Sequence, residues 1–154
     1  MKKVKKAYSQ RSDNEKLESN WNKTLGLFER DEYSMAIIRA GTCAEITANI
    51  VARAELVHTR HLESRFVDSL LRWANGLQGK FSRIIFPLFE GTHQHATLKK
   101  HHRAIGTLND TRNEIAHGGR FASKKDAEKL LRIAHLVCSD LTSRYTPTPK
   151  LKKR

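Results

Sequence analysis

The sequence predicts an all-α fold, a bundle of four to five helices. Apolar residues recur at three- and four-residue spacing along most of the chain, and no stretch of strand length alternates apolar with polar residues. Two capping signatures, Ser12 with Glu15 and Ser123 with Asp126, each open an amphipathic segment. A chain of 154 residues fits one domain and can bury a sizeable core. There is no internal repeat.

The elements follow in order. A first helix over about 13–29 places Leu17, Trp21, Leu25 and Phe28 on one face. A second, over about 31–58, carries small and apolar residues on nearly every side, among them Ala36, Ile37, Ala40, Ala44, Ala48 and Val51. A helix apolar almost all round is the central, buried one. A third helical region covers about 64–89, loosened by Gly76 and Gly79 and kinked or ended near Pro87. Gly91-Thr92 marks a break. The fourth helix, about 93–117, stops at Gly118-Gly119, a residue type suited to a left-handed C-cap. The fifth runs from Ser123 to about Tyr145, before Pro147 and Pro149. The expected organisation is a basic, disordered tail over 1–11, a helical domain over 12–145 and a basic Pro/Lys tail over 146–154.

The net charge of +13 is unevenly placed. Lys2, Lys3, Lys5, Lys6 and Arg11 meet no acid in the first tail, and Lys150, Lys152, Lys153 and Arg154 meet none in the second. Residues 91–125 hold seven basic side chains against Asp110 and Glu114. Such segments attract polyanions through counterion release, although the tails read equally well as solvated, solubilising ends. The longest apolar run, Ile84-Ile85-Phe86-Pro87-Leu88-Phe89, is far short of the ~20 residues of a membrane helix. No apolar stretch follows Met1-Lys2-Lys3 to make a signal peptide. A cytoplasmic protein without a membrane partner is therefore expected, with Cys43 and Cys138 as reduced core residues.

The fourth helix contains an anomaly. Steps of three and four along its apolar stripe run Leu98, His101, Ile105, Leu108, Arg112 and Ile115. Arg112 stands where a hydrophobe belongs, and a half-dry guanidinium is costly unless paired or kept for a ligand. Asn113 and His117, four residues apart, share a helix face. His117 lies about 140° around and 7.5 Å along the helix from Arg112. A cation, an amide and an imidazole at a basic helix end suit an anionic phosphate.

Thr111-Arg112-Asn113-Glu114-Ile115-Ala116-His117-Gly118 resembles the signature of HEPN domains, an Arg, a polar residue, a short spacer and a His. The capped final helix and the small-residue second helix with Glu45 in its middle are similar too, so the resemblance covers roughly residues 12–145. It implies a HEPN-like bundle and metal-independent cleavage of RNA by a symmetric homodimer. The setting it implies is toxin–antitoxin or anti-phage defence, with an antitoxin or regulatory protein as a candidate partner. Carried over, His117 is the general base or acid, Arg112 holds the phosphate, Asn113 orients the pair and Glu45 supports Arg112. Lys99, Lys100, Arg103 and Arg120 are the candidate RNA-binding cations. No cofactor or metal is expected. One branch of the family carries a Tyr two residues after the His; this chain has Gly119, so regulation by that route is not expected.

Two alternatives accompany this reading. Arg112 can serve as a structural bridge to Glu45, in a non-catalytic module that binds RNA or a protein partner. The close pairs His58 and His61, His93 and His95, and His101 and His102 lack Cys or carboxylate at ligand spacing. They read as solvated surface, with His93 to His102 as an RNA-facing rim. Trp21, Trp73 and Phe66 fit core or dimer packing better than base stacking.

Overall fold

Ser12 turns the chain into its first helix, α1 (Asp13–Glu29), through a complete capping box with Glu15. The computed structural model describes residues 4–154. Leu17 and Trp21 of α1 are buried against α2 (Tyr33–Arg53), which continues through a π turn, Ala54–Thr59. The second helix starts two residues later than expected, because Asp31 takes a left-handed conformation at φ 60° and its carboxylate accepts the Tyr33 hydroxyl. That bond raises the Tyr33 pKa.

Helix α2 is the centre of the bundle and touches every other main helix. Its buried residues are mostly small, including Ala36, Ala40, Gly41, Ala44 and Ala48, so its neighbours approach closely. By length and hydropathy alone Tyr33–Thr59 would pass for a membrane span, although 67% of its most apolar window is buried inside the bundle. Burial among protein neighbours accounts for its apolar character. Arg53 at its end bridges Asp13 of α1 and Asp68 of the third helical region.

The third helical region is not one helix. Helix α3 (Ser64–Trp73) ends at Ala74, and α4 (Gly76–Lys80) follows with Gly76 at a positive φ. A π segment, Phe81–Ile85, and a last turn, Phe86–Leu88, complete it. Lys80 donates to the Leu71 carbonyl at 2.9 Å, capping a group the break leaves free, and burial lowers its pKa.

Helix α5 (His95–Gly118) begins two residues later than expected, and α6 (Lys124–Thr142) ends three residues earlier. Its capping box at Ser123 and Asp126 is present in full. The described residues contain helices and no strand, which makes the fold all-α. Cys43 and Cys138 are free and buried, and burial pushes both thiols up.

His101 departs from the expected rim. It is buried, and its Nε2 lies 2.6 Å from Asp140 Oδ2, joining α5 to α6. His102 instead faces Ser82 and the Phe86 ring. Adjacent positions on a helix point to different faces, which separates the two roles.

The expected C-terminal tail is docked. The Trp21 indole N–H donates to the Lys152 carbonyl at 2.8 Å, Pro149 is buried, and the Leu151 carbonyl lies 3.3 Å from His135 Nε2. The Arg154 guanidinium stands 4.1 Å over the Phe28 ring. A buried indole needs an acceptor, and the tail supplies it where its net charge alone announced only solvation. The N-terminal segment also meets α1. Tyr8–Gln10 forms a 3-10 turn and the Tyr8 hydroxyl accepts from Asn20; residues 1–3 of the expected tail lie outside the described residues.

Deleting residues 146–154 is therefore expected to lower stability by about 1–3 kcal/mol, through the lost indole bond and uncovered apolar surface. An unchanged urea midpoint would show that these contacts contribute nothing.

Candidate functional site

The site predicted from sequence lies at the C-terminal end of α5. Gly119 ends that helix at φ 68°, a left-handed conformation that glycine adopts without strain. The N–H groups of Gly119 and Arg120 both return to the Glu114 carbonyl. The following loop is tied to the start of α2, where Ser34 Oγ accepts the Ala122 N–H at 2.9 Å.

Arg112 faces α2. Its Nη1 donates to Glu45 Oε1 at 2.5 Å, and the two side chains are 25% and 24% exposed. Its stem lies in a notch left by Gly41, where an added Cβ would stand 2.7 Å from Arg112 Cδ. The anomalous Arg of the apolar stripe is thus accommodated by a glycine and a carboxylate one helical turn apart on α2. Glu45 also favours the charged form of the nearby Lys80, against the burial that lowers its pKa.

Asn113 and His117 are exposed on a different face of α5. Neither side chain forms a hydrogen bond or ion pair among the described residues. No hydrogen bond joins His117 to Arg112 among the described residues. The single chain therefore separates the fixed cation from the free imidazole.

The expected RNA-binding cations divide into two groups. Arg120 is committed to carboxylates, binding Glu114 and, at 3.4 Å, Asp126. The Glu114 bond raises the Arg120 pKa, while the Ser123 backbone N–H, ahead of Arg120 itself, lowers that of Asp126. Through these two exposed pairs Arg120 ties α5 to α6. Lys99, Lys100 and Arg103 are exposed. Lys99 lies eighteen residues before His117, five helical turns and so on the same face, about 27 Å away. Arg103 is within about 40° of that face and about 21 Å away. These cations form a track leading to His117, interrupted by the exposed Asp110.

The chain matches no protein-family model, no curated protein and no solved structure.

Two features escaped sequence reasoning. Phe121 is 92% exposed in the loop after Gly119, and Met35, beside the Ser34 tether, is 48% exposed. A lone aromatic between Arg120 and Ala122 has no periodicity to mark it as surface. Among the described residues, no three His, Cys, Asp or Glu side chains converge as a metal-binding group.

Proposed function

We propose that this protein is a HEPN-type endoribonuclease that works in the cytoplasm as a homodimer, without a metal or other cofactor. The observation that carries the reading is the division of labour on α5. Arg112 is held in place by Glu45 and Gly41, while His117 and Asn113 stand free at the helix end. A positioned guanidinium and an unpartnered imidazole are the two groups that in-line attack by a ribose 2′-OH requires.

In the proposed reaction, His117 takes the proton of the 2′-OH, and the 2′-oxygen attacks the adjacent phosphorus. The bond to the 5′-oxygen breaks, and that oxygen leaves with a proton from a second acid, the partner's imidazole in a dimer. Arg112 balances the charge gathering on the phosphoryl oxygens, and Asn113 orients the chain at the scissile step. Lys99 and Arg103 guide the RNA along α5. A role as a toxin or anti-phage effector, restrained by an antitoxin, follows from the family resemblance.

RNA incubated with the protein in EDTA should be cut to 2′,3′-cyclic phosphate and 5′-OH ends, and DNA should survive. Cleavage that requires a divalent ion, or equal cleavage of DNA, would refute this mechanism.

The Arg112–Glu45 contact also favours a second reading, a non-catalytic module in which the pair only joins α2 to α5. In that case RNA is bound but never cut under any of these conditions.

A further inference from the structure

Helix α3 turns an aromatic edge to solvent. Phe66 is 56% exposed and Trp73 is 61% exposed, although Val67, Leu71 and Ala74 anchor the adjoining face in the core. At 100° per residue, Phe66, Leu70 and Trp73 fall within about 60° of one another. The exposure belongs to this edge of a well-seated helix, not to a loose one.

The edge is bordered by arginines. The Arg83 guanidinium, from the π segment after α4, lies 5.1 Å from the centre of the Trp73 ring. Arg65 and Arg72 are exposed along the same helix, and Arg72 donates only to Ser69 Oγ, at 3.2 Å. None of the three pairs with a carboxylate among the described residues. The nearest acid on α3, Asp68, is already taken by Arg53 at 3.1 Å.

This composition decides between occupants. A second copy docked here through a twofold axis would bring six unpaired guanidinium groups together, which repel. A polyanion with exposed π faces matches both halves of the surface. Bases stack on aromatic rings and on guanidinium planes, so Arg83 extends the Trp73 platform. We propose that the α3 edge is a binding site for single-stranded nucleic acid, with bases stacked on Trp73 and Phe66 and phosphates met by Arg65 and Arg72. The site shares no residue with the one proposed at the end of α5 and does not depend on cleavage there.

The chain itself provides the probe. Of its two tryptophans, Trp21 is 1% exposed and Trp73 is 61% exposed, so stacking reads out on Trp73 alone. Titrating the full chain with oligothymidylate, which has no 2′-OH to react, should quench its emission. Affinity should fall as salt rises. By anisotropy of a labelled oligothymidylate, Trp73→Ala and Phe66→Ala should each weaken binding roughly tenfold. Trp73→Phe should keep most of the affinity, and a DNA duplex should compete poorly. All three variants are compared at matched helical circular dichroism, and their surface positions leave the core intact. Undiminished affinity in both alanine variants, or saturation without quenching, overturns the proposal. So does a shift from dimer to monomer in Trp73→Ala with oligonucleotide affinity unchanged, which would assign the edge to protein contact. Binding without RNA cleavage would retain this site while removing the nuclease reading.

Discussion

Replacing Arg112 with alanine is expected to slow RNA cleavage about a thousandfold, the scale on which removing a charge-stabilising group acts. The same change should cost about 1–3 kcal/mol of stability. That figure lies between an exposed pair, worth almost nothing, and a buried one, because each partner of the Arg112–Glu45 pair is about a quarter exposed. Two companions separate chemistry from structure. Glu45→Gln keeps an acceptor of the same shape, so it should lower stability slightly and leave cleavage within a few-fold of the parent. Gly41→Ala does the reverse. Alanine gains up to about 1 kcal/mol of helix propensity, but its Cβ would stand 2.7 Å from Arg112 Cδ and 3.2 Å from Nε. The arginine stem must move, and a shift of about 1 Å in a catalytic group is enough to slow the reaction a hundredfold. Urea unfolding and single-turnover cleavage report the two quantities separately. Cleavage that survives Arg112→Ala at the parental rate would leave Arg112 a purely structural residue.

Mixing an Arg112→Ala chain with a His117→Ala chain, each nearly inactive alone, is expected to restore part of the activity, well below about a quarter of the parental rate. Random pairing makes half of the dimers mixed, and one of the two symmetry-related sites in each keeps an Arg112 and a His117 but lacks the second imidazole as acid. The physical reason lies in the single chain, where Arg112 faces Glu45 of α2 and His117 stands on another face of α5. In the proposed dimer, a twofold axis near the end of α5 would set the His117 of one protomer against the Arg112 of its partner and supply both an acid and a base. The exposed Phe121 and Met35 at this end would provide apolar surface for that contact. Bringing two basic segments together opposes assembly, so RNA should tighten the dimer by screening them. A fully active monomer by light scattering would refute the shared site. Mixed dimers that form but are no more active than either parent would show that an Arg112 and a His117 from different chains do not by themselves make a site.

The all-α class and both capping boxes were legible in the sequence, because caps and helical periodicity are local. The central place of α2 was legible too, since a helix apolar all round has to be surrounded. Arg112 was conspicuous for the same reason, as a charge out of step with its stripe. Its partner Glu45 was legible as well, but the Gly41 notch that receives its stem was not. Tertiary structure decided the other polar partners: Asp140 draws His101 out of the expected rim, and Glu114 and Asp126 bind Arg120. The C-terminal segment shows the limit most plainly. Its lysines and prolines read as a solvated tail, yet its backbone carbonyl satisfies the indole of Trp21, 131 residues away in sequence. Local composition determines whether a segment favours helix or water. Whether a buried donor across the bundle needs its carbonyl is a property of the packed molecule, and no spacing rule along the chain carries it.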